Sequence, residues 1–285
     1  MAIRLVALDL DGTLLDSRGE LTARNRAAIG AARAAGVSVA LVTGRRFRDA
    51  RPLALELGLD VPVISHNGAL TKHARTLETV SAILMPVEAA RAVVRVGRAH
   101  GADALVSDDH AGAGLLVYDH ISEGNTALAK YIAWSRRVVG DTAAHTIRRV
   151  PSLDEYLDHD PLHVAFSGGC AAMERLGEEM RRELGRGVRL LLTLYPKTDF
   201  ALLDVLHPEA SKGAGLAAVA AEQRLRREEV LAVGDNFNDL EMLEWAGTGV
   251  VMGNADPSLL GRAGFHTTAT NDEDGVAAAI ERFVL

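Results

Sequence analysis

Two carboxylates two positions apart, Asp9 and Asp11, open the stretch "DLDGTLLD" directly behind the apolar run "IRLVAL". Acids so placed repel each other unless a proton or a cation separates them, so they do chemistry together only in different protonation states. A carboxylate screened by a metal ion can attack phosphorus and form an aspartyl phosphate, which splits hydrolysis into two easier steps. Asp9, fixed by the end of the run, is the natural nucleophile. Asp11 then reaches the leaving oxygen, donates a proton to it and later takes one from the attacking water. A phosphoryl group also needs donors. In "VTGRR", Thr43 offers a hydroxyl and Gly44 an unobstructed N–H at an expected helix start, a geometry that suits anions. Lys212 in "SKGAG" is a cation at the start of another helix, and "GDNFND" adds Asp235 and Asp239. One helical turn brings Asp239 to the face of Asp235, where it holds a metal-bound water or orients Asp235. Oxygen donors without His or Cys nearby favour a hard ion, Mg²⁺ before Zn²⁺.

These residues matter only if the chain delivers them to one place. "IRLVAL" (3–8) lacks strict alternation, the pattern of a strand covered on both faces. "LTARNRAAIGAARAAG", with Thr22 as N-cap and Gly36 as stop, predicts a helix. "VSVALVTG" (37–44) and "VPVISHNG" (61–68) predict two more strands, and this alternation implies parallel crossovers with helices on both faces of an open sheet. The texture returns in "EVLAVGD" (229–235), the helix "NDLEMLEWAG", the strand "TGVVMGN" and the closing helix "GVAAAIERFVL". Ligands of such sheets bind beyond the carboxyl ends of the strands. The expected ends carry Asp9 and Asp11; Thr43, Gly44 and Arg45; Asn67 and Gly68; and Gly234, Asp235 and Asn236.

From about residue 85 to 206 the order changes. The patterns predict helix 86–100, strands near 103–107 and 115–118, helix 125–135, a strand near 145–149, a short helix from Ser152, strand 162–166, helix 171–184, and strands 188–194 and 199–206 as an antiparallel hairpin. Glycines at 112 to 114 read as a turn and not as a dinucleotide loop. The expected fold class is therefore α/β: a doubly wound, mostly parallel sheet from residues 1–84 and 207–285, with an α+β domain inserted at 85–206. A chain of 285 residues exceeds what one core usually organises.

The net charge of −7, with basic residues scattered, argues against nucleic acid as a partner and leaves a small anionic substrate open. One cysteine, Cys170, permits no internal disulfide and fits a reducing compartment. No apolar stretch approaches the ~18–20 residues that cross a bilayer, so the expectation is a cytoplasmic protein without a membrane partner, as a monomer or small homo-oligomer.

Together, "DLDGTLLD", "VTGR", "SKG" and "GDNFND" resemble, in order and approximate spacing, the haloacid dehalogenase-like phosphatases. "HNGA" at 66–69, "VVMGNA" at 250–255 and "NDEDGVAAAI" at 271–280 resemble its Cof-type branch of sugar-phosphate phosphatases, and the inserted block is similar to the large cap of that branch. The resemblance implies Mg²⁺ as cofactor and a small phosphorylated metabolite as substrate. It implies Asp9 as nucleophile, Asp11 as acid/base and backbone-carbonyl metal ligand, Thr43 and Lys212 as phosphate binders, and Asp235 as a metal ligand supported by Asp239. Gly44, Arg45 and Asn67 fall on the substrate side of that rim, and Asn238 contacts phosphate or a metal-bound water. His66 and "LHPEA" are less typical of the pattern.

Other readings compete. Asp9 to Glu20 can be laid on a calcium loop, but Leu14 stands where that loop needs glycine. A phosphomutase would pass the same phosphoryl group to a second hydroxyl. A dehalogenase has no leaving alkoxide for Asp11 to protonate, and a non-catalytic sugar-phosphate sensor would not need the acids. His163, inside an apolar strand, reads as packed or substrate-facing. Trp134 and Trp245 read as core or interface anchors on helices, and Arg148, Arg149, His120 and Glu123 as a solvated polar face.

Overall fold

A computed structural model describes residues 2–108, 112, 114–126, 128–129, 132–133 and 146–285. By their contacts they form two compact units, Met1–Ala82 with Ser211–Leu285 and, inserted between them in sequence, Ile83–Ala210. Each unit has its own apolar core.

The first unit contributes β1 (Leu5–Leu8), α1 (Ala23–Ala34), β2 (Ser38–Leu41), α2 (Phe47–Glu56), β3 (Val63–Ser65), β4 (Leu70–Lys72) and β5 (Thr79–Ala82). After the insert come α5 (Lys212–Glu222), β12 (Val230–Gly234), α6 (Leu240–Trp245), β13 (Thr248–Val251), β14 (Phe265–Thr267) and α7 (Gly275–Phe283). A parallel sheet runs β14–β13–β12–β1–β2. All of β1 and β12 is buried, because central strands covered on both faces can be apolar throughout. The Thr22 hydroxyl caps α1 by accepting from the Asn25 N–H, and Asn25, Ala28, Ile29 and Ala32 form its buried stripe at helical spacing. Trp245 packs at the edge of this core.

The third expected strand is shorter than its pattern. β3 joins the parallel sheet through one bridge, Val42 to Ile64, and otherwise pairs antiparallel with β4, which pairs with β5. The reason is local: His66, Asn67 and Gly68 are all left-handed, with φ of 50°, 52° and 93°, and they turn the chain back on itself.

The insert holds α3 (Val87–Ala99), β6 (Ala104–Asp108), β7 (Leu115–Tyr118), β8 (Ile147–Arg149), β9 (His163–Gly168), α4 (Cys170–Leu184), β10 (Arg189–Tyr195) and β11 (Phe200–Leu206). The sheet order is β10–β11–β9–β6–β7–β8, antiparallel except between β7 and β8. Strand alternation sends Val106, Val164 and Phe166 into the core under α3 and α4, and sends Leu105 and Ala165 to the opposite face with Leu128 and Ile132. β10 and β11 form the expected antiparallel hairpin, turning at Pro196–Thr198 with Asp199 left-handed. Five residues of the expected helix 125–135, Trp134 included, and Ala113 of the expected turn at 112–114 lie outside the described residues.

Candidate active site

The parallel sheet builds the site because its strands are in step. Leu8 of β1 lies beside Leu41 of β2 and Val233 of β12, so Asp9, Thr43 and Asp235 leave the sheet at one edge. Asp9 is buried, and its Oδ1 accepts from Lys212 Nζ at 2.6 Å. The same ammonium donates to Asp239 Oδ1 at 2.5 Å. Lys212 opens α5 behind the N-cap Ser211 and is 1 % exposed.

Burial alone would lower the pKa of Lys212, but the Asp239 and Asp9 carboxylates overcome it and hold the ammonium above its ordinary value. Asp9 is raised well above the carboxylate range, chiefly by burial; Asp239 and Asp235 add to the rise and Lys212 opposes it. Burial and Asp239 push Asp235 up to about 6, against the Thr13 hydroxyl, which donates to Asp235 Oδ1 at 2.8 Å. Asp239 turns its other oxygen to the backbone N–H groups of Asp235 and Asn236, both at 3.0 Å. It thereby fixes the loop that carries Asp235.

Asp11 is more exposed, and Arg45 grips it through Nε and Nη2 at 2.8 and 2.5 Å. The Arg45 N–H donates to Thr43 Oγ1 at 3.0 Å, and Asn67 N–H to Thr43 O at 3.1 Å. Thr43 is 1 % exposed, and its hydroxyl hydrogen remains for another acceptor. Gly44 does not open a helix as expected. α2 begins at Phe47 with Arg46 as its cap, because His66 Nε2 accepts the Phe47 N–H at 3.3 Å and the intervening residues wrap around Thr43. Asn238 Nδ2 donates to Asn67 Oδ1 at 3.0 Å, and a Cβ on Gly44 would lie 3.0 Å from that oxygen. Gly68 abuts the backbone of Ser211, where a Cβ would stand 1.8 Å from the carbonyl oxygen. The left-handed turn therefore braces the Thr43 loop, the Lys212 helix and Asn238 at once.

A family model for haloacid dehalogenase-like hydrolases matches residues 6–280. The chain belongs to that family. It falls in the Cof-type branch and is an enzyme of the phosphoric monoester hydrolase class. It is 32 % identical to the pyridoxal phosphate phosphatase YbhA of Escherichia coli over 98 % of both chains. It is 29 % identical to the 5-amino-6-(5-phospho-D-ribitylamino)uracil phosphatase YwtE of Bacillus subtilis, over 99 % of this chain and 98 % of the relative. Among solved structures, a haloacid dehalogenase-like hydrolase from Bacteroides thetaiotaomicron superposes with a TM-score of 0.79 at 26 % identity, covering 98 % of this chain and 99 % of the other.

Members of this family are generally metal-dependent, typically on Mg²⁺, and the residues present fit a hard ion. Asp9, Asp235 and Asp239 each bring an oxygen within 4.8 Å of the others, with no sulfur or nitrogen ligand among them. Asp235 also lies hard against Gly12, where a Cβ would come within 2.5 Å of Oδ2. Among the described residues, a second group of possible ligands, His100, Glu179 and Glu183, lies on the insert, partly exposed, with Glu179 paired to Arg182.

Several residues read from the sequence belong to the other unit. His163 is buried 3.5 Å from Asp204, Arg148 stacks over the Tyr156 ring, and Arg149 donates to Asp119 O at 3.1 Å, all within the insert. Cys170 packs by its Sγ against Phe200 O at 3.4 Å. Thr13 was missed. Its one signal is a hydroxyl two residues after Asp11, which sequence spacing does not connect to Asp235.

Among the described residues no helix is long and apolar enough to cross a membrane.

Proposed function

We propose that the protein is a Mg²⁺-dependent phosphatase acting on a small phosphorylated metabolite, a sugar phosphate or similar monoester, through an aspartyl phosphate on Asp9. The observation that carries the reading is the buried Lys212 ammonium bonded to both Asp9 and Asp239 beside Asp235. A cation so deeply buried is tolerable only when paired, and its partners are the groups a phosphoryl centre needs. The Asp9 and Asp235 carboxylates and the Asp11 carbonyl would hold the ion, which when bound screens the repulsion between the Asp9 carboxylate and the phosphate.

Asp9 attacks phosphorus and the P–O bond to the substrate alkoxide breaks. Asp11 gives its proton to that oxygen. It then takes a proton from the water that attacks the acyl phosphate, which frees Asp9 and releases inorganic phosphate. For Asp11 to do this its bidentate pair with Arg45 must open, and an incoming phosphate dianion is a competing partner for the guanidinium. Lys212, the Thr43 hydroxyl, the Gly44 N–H and the Asn67–Asn238 pair serve the phosphoryl oxygens. Asp239 acts by fixing Lys212 and the Asp235 loop. The insert, as a cap, selects the leaving group and excludes water, a division known from lid-gated enzymes. The relatives' substrates, pyridoxal phosphate and a phosphoribitylamino-uracil, support a small phosphomonoester as substrate.

A screen of phosphate release across phosphorylated sugars, polyols, nucleotides and cofactors, with and without Mg²⁺, tests the reading. Metal-dependent release from at least one class is expected. Isomer formation without release would indicate a mutase, and binding without turnover a sensor.

A further inference from the structure

The loop between β1 and α1, which carries Asp11, is held from outside by carboxamides. Inside the loop the N–H groups of Thr13 and Leu15 donate to Leu10 O at 3.3 and 2.9 Å, and Leu14 donates to Asp9 O at 3.2 Å. The carbonyls of Gly12, Leu14 and Leu15 accept instead from Nδ2 of Asn254 at 2.8 Å, Asn25 at 3.2 Å and Asn271 at 3.0 Å. Asparagine offers both a donor and an acceptor, and two of the three use both ends. Asn254 Oδ1 accepts the Asn271 N–H, and Asn25 Oδ1 accepts the Ala277 N–H, each at 2.9 Å. Ser17 N–H adds a bond to Asp272 Oδ1 at 2.8 Å. The "VVMGNA" and "NDEDGVAAAI" segments, which the chemistry does not use, thus meet on the loop that does.

Gly12 is the sensitive point. It sits at φ +82° with Asp235 so close that no Cβ fits, and it lies between Asp11 and Thr13, the donor to Asp235. Any shift of the Gly12 peptide carries both neighbours with it. A misplacement of roughly 1 Å in a reacting group costs on the order of a hundredfold in rate.

We propose that Asn254 is a positioning residue for the reaction. Its carboxamide anchors the Gly12 carbonyl so that Asp11 and Thr13 keep their places beside Asp9 and Asp235, and Asn271 braces Asn254 from behind. The effect on turnover rests on the phosphatase reading; the clamp itself does not. Asn254 is exposed, so Asn254→Ala opens no cavity, and Asn254→Asp keeps the acceptor for Asn271 while removing the donor to Gly12.

The test pairs hydrogen exchange with kinetics on the full chain. In both variants the amides of residues 13 to 15 are expected to exchange at least tenfold faster than in the wild type, with β1 and β12 unchanged, as local opening of a released loop requires. With p-nitrophenyl phosphate and saturating Mg²⁺, kcat is expected to fall about 10- to 100-fold, with KM within threefold and the melting temperature nearly unmoved. Unchanged exchange at 13 to 15 would overturn the clamp, whatever the kinetics. Faster exchange with wild-type kcat would overturn the positioning role. Were the wild type to release no phosphate from any ester, the phosphatase reading would fail while the exchange result still decided the clamp.

Discussion

At the scale of residues, the site is a balance of buried charges, and three measurements read it. Asp9→Asn is expected to abolish turnover and Asp11→Asn to cost about 10²–10⁴-fold in kcat, the usual worth of a general acid–base; phosphate-release assays of both variants check this. Lys212→Met leaves Asp9 and Asp239 buried without their shared cation, and breaking a buried pair by removing one partner costs about 3–5 kcal/mol. Denaturant unfolding of the metal-free variant should show that loss. The pH dependence has a definite sign. The Asp235 carboxyl binds its proton more tightly in the folded chain, since its value rises from 3.8 to about 6. The stability it contributes is therefore fully present below its unfolded value and is lost as pH climbs through about 6. The difference amounts to about 3 kcal/mol. In chelator, Asp235→Asn should become the more stable protein relative to wild type as pH is raised from about 4 to about 7. A difference in melting temperature that stays flat across that range would contradict the assignment.

At the scale of elements, the left-handed turn after β3 decides whether the loops and the Lys212 helix meet. Gly68 and Gly19 have similar positive φ, 93° and 79°, but a Cβ at Gly19 meets nothing within 4 Å while one at Gly68 would overlap the Ser211 carbonyl. Gly19→Ala should cost roughly 1 kcal/mol, the conformational penalty alone. Gly68→Ala should cost clearly more and depress kcat by displacing Lys212, as paired thermal melts and kinetics would show. These elements also mark what could be read from the sequence. β1, β2 and β12 were legible because strands buried on both faces are apolar runs, and each delivers its polar residue directly after the run, which also exposed Asp9, Thr43 and Asp235. β4, β5 and β14 were not, since "LTK", "TVSA" and "FHT" carry no period and exist only through pairing with a neighbour. The shortening of β3 was hidden for the same reason, and Thr13, Asn254 and Asn271 because single polar side chains in loops meet partners more than two hundred residues away.

At the scale of the whole molecule, two units with separate cores imply that unfolding need not be a single event. The candidate ligands Asp9, Asp11 and Asp235 all belong to the unit built on the parallel sheet. Differential calorimetry should show Mg²⁺ raising one transition and leaving the other where it was, and a uniform shift of both would argue against a site confined to that unit. The central claim is that a phosphoryl group passes through Asp9, and chemical trapping tests it most directly. The enzyme would be quenched in acid during turnover of a reactive ester, digested, and mapped by mass spectrometry. The expected result is a phosphoryl group on the peptide that contains Asp9, absent from Asp9→Asn. Near-normal phosphate release by Asp9→Asn, or a phosphoryl group trapped on a different residue, would contradict it.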